Sequence, residues 1–376
     1  MIEIHPLLDS EKQRQARQYE KEKRILGIIG MLFSFAGVSG FYFSGLSQWL
    51  SQLFPEHSVI WTFLVYSVVF QAVLFAVGFP MSFISGYRHE HKWNFSNQTF
   101  QSWLWEQTKS LIIGLTILTV LLGLLFWIMA AQPQNWWWIA GLATAVVSVF
   151  FATLGPVVIL PIFNKYTPIK EQELTDSLEI ILKDGGLNSS GFFMEDMSRQ
   201  TKKENAFLAG LGKTRRVVLG DNLMRNMSVP EIESIIAHEV GHFKHKHIWK
   251  QIGAGTSKQL FVFFLVDLLM RSVFPSFLDS TRTNLSLFPF LALIMGGISV
   301  FIFSPLDNGL SRYFERQADL YALRGISNPH AFSTALAGLA DRNLSNAYPE
   351  RWMKFLYYSH PPIGERLLMA DNLDGS

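Results

Sequence analysis

Residues 232–248 read IESIIAHEVGHFKHKHI, and the rest of the chain is read outward from them. His238 and His242 stand four apart, so on a helix both imidazoles share one face, about one turn from each other. Two neutral imidazoles at that separation hold one Zn²⁺ at roughly 2.0–2.1 Å each. Glu239 follows the first histidine and is placed to take a proton from a metal-bound water rather than to bind the metal. A helix start precedes the motif. Ser228 with Glu231 forms a capping box, and Pro230 sits in the first turn, where its missing N–H costs nothing.

Around this stretch the composition is that of a membrane protein. Of 376 residues, 49% are hydrophobic and only 16% charged, with 32 Phe and 11 Trp. Soluble domains carry about a quarter charged residues. There is no cysteine, which excludes disulfides, cysteine nucleophiles and thiolate metal sites. With a net charge of +2 and no basic arm or RNA-binding signature, no nucleic-acid partner is expected.

Residues 1–24 are polar and basic, and no short apolar region with a cleavage site follows, so no removable signal peptide is expected. Apolar stretches near 25–50, 59–84, 110–131, 136–162, 260–274 and 287–303 read as six spans. Gly155–Pro156 reads as a kink in the fourth. The fifth is short and holds Asp267, so it is either re-entrant or lines a polar interior. Between the fourth and fifth spans the chain turns soluble in character. A helix is expected over 171–183, stopping at Gly185–Gly186, then short strands over 192–197, 205–211 and 215–219.

The expected fold is a mostly α membrane protein, a polytopic bundle of about six spans with a small α+β metalloprotease domain on the cytoplasmic side. Its parts are an N-terminal segment (1–24), four spans (25–163), a metalloprotease domain with the HEVGH helix (164–257), two spans (258–304), and the rest of that domain (305–376). Loop charge sets the orientation. The turns near 51–57 and 132–135 carry no Lys or Arg, and the 275–286 turn carries only Arg282. The basic segments all fall on the other, cytoplasmic side.

A catalytic zinc site needs three protein ligands and an open position. A third histidine in the metzincin register would fall at 248, where the chain has Ile248. Glu315, on a predicted helix, is the better candidate; a solvated charged helix is the bland alternative. Asp319, four residues on, shares its face and is placed to accept from the distal nitrogen of a ligand histidine. Arg312, one turn earlier, could pair with a carboxylate or with substrate.

Five blocks in order carry a family resemblance: His91–Thr99 (HKWNFSNQT), Pro161–Pro168 (PIFNKYTP), Asn205–Leu219 (NAFLAGLGKTRRVVL), His238–His242 with His247, and Asn308–Asp319 (NGLSRYFERQAD). Ser359-His-Pro-Pro362 with Glu365-Arg366 is a weaker sixth. Together they resemble the type 1 CAAX prenyl proteases, integral-membrane zinc endopeptidases. The resemblance implies zinc, one ion per chain, on His238, His242 and Glu315, with Glu239 as base. It further implies that Asn205 and Ala206 lie on an edge strand that holds the substrate backbone, in keeping with strand addition at a sheet edge. It makes His360 the stabiliser of the oxyanion. His245 and His247 are left as non-ligands, either at the surface or behind a ligand. Eukaryotic members have seven spans, one more than is read here.

The expected activity is hydrolysis of peptide bonds in prenylated CAAX-type or other membrane-associated polypeptides, at a bilayer that is read as a bacterial inner membrane. Two alternatives stand beside it. A site-2-type intramembrane protease would use Asp307 as third ligand. A transporter or scaffold with a structural zinc would leave Glu239 without a role.

Overall fold

The computed structural model describes residues 4–55, 58–188 and 190–374; the first three residues of the polar N-terminal segment lie outside the described residues. Among the described residues, six helices are long and apolar enough to cross a membrane: α1 (Ser10–Phe43), α2 (Val59–Lys92), α3 (Phe100–Ala131), α4 (Trp136–Phe163), α7 (His247–Val273) and α8 (Thr281–Gly325). Their packed core runs through Tyr66, Phe70, Trp136, Val266, Met270 and Leu285. Aromatic rings meet edge-to-face there, as at Phe41–Phe70 and Phe70–Phe288.

Three of these helices behave differently from the sequence reading. First, α1 begins at Ser10, capped by the Asp9 side chain, so the polar segment up to residue 24 continues the first span. Second, the fifth span is a helix of 27 residues starting at His247. Third, the sixth span does not end near residue 303; the same helix continues to Gly325. Ser299–Phe303 forms a π turn inside it, just ahead of Pro305, which cannot donate the usual backbone bond. Gly155–Ile159 makes the same adjustment in α4 around Pro156, where a kink was expected.

The three turns expected on the far side meet at one end. Arg282 donates to the Phe54 carbonyl, and Arg271 to that of Pro133. Asp267 accepts from Trp136 Nε1 at 2.5 Å and pairs with Arg271 at 2.9 Å. Gln71 Nε2 donates to the Ser67 carbonyl on its own helix and to Thr119 Oγ1 on the neighbouring α3. Both polar residues therefore join helices.

At the opposite end sits a four-stranded sheet in the order β1-β2-β4-β3. Its strands are β1 (Tyr166–Pro168), β2 (Phe192–Glu195), β3 (Ala206–Ala209) and β4 (Arg216–Gly220). β2 and β4 run parallel; the other pairings are antiparallel. β3 is an open edge. Helices α5 (Gln172–Asp184) and α6 (Val229–Lys244) cover the sheet through Leu178, Leu182, Val217, Leu219, Ile236 and Val240. A third cluster joins α9 (Pro329–Arg342) and α11 (Ile363–Asp374) to residues near the N-terminus, including Leu8. Gln13 locks the start of α1 to this cluster, donating to Asp341 and accepting from Ala347 N, both at 3.0 Å. The 91–99 block docks on the stretch before β3, where Ser96 bridges to Thr201, and just ahead of the block Glu90 pairs with Lys203 at 2.7 Å.

Candidate active site

The capping box read from the sequence is present. Ser228 Oγ and N both lie 2.8 Å from Glu231 Oε2, and α6 starts at the next residue. α6 then buries Ile232, Ile236, Ala237 and Val240, which turns His238 and His242 toward α8. In the last turns of α8, Phe314, Glu315, Ala318, Asp319 and Ala322 are buried at helical spacing, a stripe facing α6. Gly241 lets the two helices approach: a Cβ there would stand 2.9 Å from Ala318 Cα.

This approach brings three side chains together. His238 Nε2 is 3.1 Å from His242 Nε2, and Glu315 oxygens lie 3.3 Å from each of them. A tetrahedral zinc with ligands at about 2.05 Å has ligand-to-ligand edges of about 3.3 Å. Glu315 Oε2 is buried and, among the described residues, accepts no well-formed hydrogen bond, though it faces His238 Nε2 at 3.3 Å. A buried carboxylate that turns one oxygen to each of two imidazole nitrogens is the arrangement a divalent cation satisfies, so the residues fit the metal. Burial opposes a proton on His238, yet Asp319 and Glu315 at its two nitrogens push its pKa up to about 9. A cation would take the place of that proton.

The surrounding groups orient the cluster. Asp319 Oδ1 lies 2.8 Å from His238 Nδ1, which directs the Nε2 lone pair at the metal position. Arg366 closes on Asp319 with two bonds of 2.5 and 2.9 Å, both partners buried. Arg312 is one turn from Glu315 but, among the described residues, forms no ion pair with a carboxylate. It donates to the carbonyls of Lys354 and Tyr358, at the end of α10 (Arg351–Tyr357), and so holds the loop that carries His360. His360 Nε2 reaches to 3.3 Å from Glu315 Oε1. Glu239 lines the same cavity. Burial raises its pKa, and the two histidines and the Leu208 backbone on β3 pull the other way.

On β3, Asn205 O accepts from Gly220 N at 2.9 Å. Alternation along the antiparallel ladder then turns the backbone of Ala206 and Leu208 to the open side. Of the expected pair, Ala206 turns its backbone to the open side, whereas the Asn205 carbonyl is already taken by Gly220. Asp307 is not part of the cluster; it pairs with Lys258 at 2.6 Å. Two further residues belong to the site: Arg366, to which the sequence reading gave no role, and His247, read as a non-ligand either at the surface or behind a ligand, and here buried with its Nδ1 2.9 Å from His242 Nδ1. Both partnerships are set by tertiary contacts.

The metal group floors a cavity of about 370 Å³ shared by Asn205, Ala206, His360 and Arg366. Asn205, His360 and Arg366 also line a second cavity, of about 730 Å³, that reaches Glu20 and Lys23 on α1. Glu20, Lys23 and Tyr357 are shared in turn with a groove between Ile28 and Met31 of α1 and Phe301 of α8. The cleft thus leads from the candidate metal site to the spanning helices.

Two families match the chain in tandem. Residues 3–165 match the CAAX prenyl protease N-terminal family, described as having five membrane helices, and residues 168–374 match peptidase family M48. Among the described residues, four candidate spans precede residue 165. The chain is similar to the metalloprotease YhfN of Bacillus subtilis, 29% identical over 95% of this chain and 84% of that protein. It is similar to CAAX prenyl protease 1 of Saccharomyces cerevisiae, 28% identical over 97% of this chain and 86% of the other. The crystal structure of Ste24p from S. mikatae superposes with a TM-score of 0.85 at 25% identity, covering 97% of this chain and 89% of that one.

Proposed function

The chain belongs to peptidase family M48, among the CAAX prenyl proteases, and is a multi-pass membrane zinc metalloendopeptidase; from that premise we propose that it hydrolyses membrane-associated polypeptides at the His238–His242–Glu315 group, with one zinc per chain. The alternative of a transporter or scaffold falls with the family assignment. The site-2-type alternative needs Asp307 as a ligand, and the Lys258 pairing speaks against it.

The observation that carries the proposal is the convergence of His238 Nε2, His242 Nε2 and the two oxygens of the Glu315 carboxylate at 3.1–3.3 Å, with a second carboxylate, Glu239, in the same cavity. Zinc at this position supplies a Lewis acid and a water of lowered pKa. The protein's own groups do the rest. Glu239 takes the proton of the attacking water and hands it to the leaving amine, a role worth about 10²–10⁴-fold in rate. His360 donates to the carbonyl oxygen as it gains charge. Ala206 holds the substrate backbone as an added strand, with the Asn205 side chain next to it. Asp319 and Arg312 position His238 and the His360 loop.

A cleft that ends between α1 and α8 suits a substrate anchored in the bilayer, prenylated or spanning. Loop charge favours a cytoplasmic active site, and a bacterial inner membrane is the setting we assign. The test is hydrolysis by detergent-purified protein of a farnesylated CAAX peptide beside its unmodified twin, with Glu239→Gln as control. Cleavage of either peptide by wild type and of neither by Glu239→Gln, both zinc-loaded, is the expected result. Equal turnover by Glu239→Gln overturns the assignment of the base. A preference for the farnesylated peptide marks the prenyl group as recognised, and its absence removes prenyl specificity from the proposal.

A further inference from the structure

His247 lies outside the three-residue metal group, yet it is the first residue of α7, buried, and packed between Phe314 and His245. Its ring stacks on Phe314 at 4.3 Å and 17°, and on His245 at 5.5 Å and 16°. Its two nitrogens face two specific partners. Nδ1 is 2.9 Å from His242 Nδ1, and Nε2 is 2.9 Å from Gln317 Oε1. Gln317 Nε2 in turn donates to Tyr313 Oη at 3.1 Å, which keeps the amide oxygen on the His247 side.

The proton positions along this row follow from one requirement. For His242 to offer the Nε2 lone pair at the metal position, its proton must sit on Nδ1. That N–H needs an acceptor, and His247 Nδ1 is the group in reach. His247 must then carry its own proton on Nε2, and that proton needs Gln317 Oε1. Reversing any one donor puts the proton of His242 on Nε2, where the metal would bind. Asp319 does the same for His238 with a carboxylate. On the His242 side the acceptor is a neutral imidazole backed by an amide.

We propose that His247 and Gln317 are positioning residues that set the tautomer of His242, so that the end of the membrane helix α7 and the ligand-bearing helix α8 jointly prepare the α6 ligand. This rests on His242 being a zinc ligand, as proposed above. Removing such a partner typically weakens metal binding about 10–100-fold.

The experiment measures zinc affinity of the full-length protein in detergent by competition with a chromophoric chelator, together with the melting temperature of the metal-free form. His247→Phe keeps a stacking ring but no acceptor, and His247→Asn keeps an acceptor near the Nδ1 position. Gln317→Leu removes the second acceptor, and Gln317→Glu keeps it. Zinc binding about 10-fold weaker or more in His247→Phe and Gln317→Leu is expected, with His247→Asn and Gln317→Glu within about threefold of wild type. Wild-type zinc affinity in His247→Phe overturns the proposal. So does an equal loss in His247→Asn and His247→Phe, which would make the role one of packing. If His247→Phe does not fold, Gln317→Leu decides alone: wild-type affinity there refutes the relay. His242→Ala is measured alongside, and full zinc retention in it would refute the ligand assignment itself.

Discussion

Gly241, inside the HEVGH stretch, gives a prediction whose sign is set by the structure. Alanine is the better helix former, worth about 1 kcal/mol over glycine in an exposed helix interior. Were helix propensity the only effect, Gly241→Ala would stabilise the protein. The added Cβ, however, would stand 2.9 Å from Ala318 Cα, 3.0 Å from Ala318 O and 3.1 Å from Tyr321 Cβ. Carbon atoms pack at about 3.5–4.0 Å, so α6 and α8 must separate by about 0.6 Å. The nearest obstacles are backbone atoms of a buried stretch, and no side chain can swing away to relieve them. Overpacking of this kind costs about 1–3 kcal/mol, and the upper half of that range applies here. The net expectation is a loss of about 1–2 kcal/mol after the propensity gain is subtracted. Glu315 is one turn from Ala318 and moves with it. Metal–ligand distances tolerate about 0.2 Å, so a shift of about 0.6 Å weakens zinc by about tenfold or more. The assay is thermal unfolding of the metal-free protein beside chelator competition for zinc. A Gly241→Ala protein that melts no lower and binds zinc as wild type does would refute the claim that this close approach builds the site.

Arg366→Met leaves the Asp319 carboxylate buried with only His238 beside it. A loss of about 3 kcal/mol is expected, at the low end for breaking a buried pair because His238 still faces the carboxylate, and thermal unfolding of the metal-free protein measures it. His360→Ala should keep zinc and KM while kcat falls about 10²–10³-fold, the usual cost of losing one oxyanion donor; a rise in KM with unchanged kcat would instead make His360 a binding residue. Ser228→Ala removes the capping box of α6 and should cost about 1 kcal/mol, read as a lower melting temperature at unchanged zinc stoichiometry.

Much of this site could be read from the residues because its signals are local. The spacing of His238 and His242, the Ser228–Glu231 box and the stop at Gly185–Gly186 each lie within a few turns of chain, and α5 and α6 form as those signals require. The strands over 192–195, 206–209 and 216–220 fall inside or within one residue of their expected runs. What escaped is set by distant contacts. β1 is three residues ending in Pro168, too short for any periodicity, and exists by pairing with β2. The helical nature of residues 10–24 is fixed partly by Asp341 and Ala347, more than 300 residues away. A drop in hydropathy near residue 303 reads as a helix end. In fact the helix leaves the apolar region without stopping, which is how Glu315 arrives on a rigid extension of the sixth span. Nothing in the spacing of His245 and His247 says which one is buried; α7 starting at residue 247 and the Phe314 ring decide it.

Glu315, the proposed third ligand, lies two spans further along the chain than the HEVGH helix whose metal site it completes. The direct measurement is zinc per chain and peptide hydrolysis for wild type, Glu315→Ala and Asp307→Ala, purified side by side. One zinc and full turnover in wild type and in Asp307→Ala, with neither in Glu315→Ala, is the predicted result. Zinc retained by Glu315→Ala and lost from Asp307→Ala would contradict it.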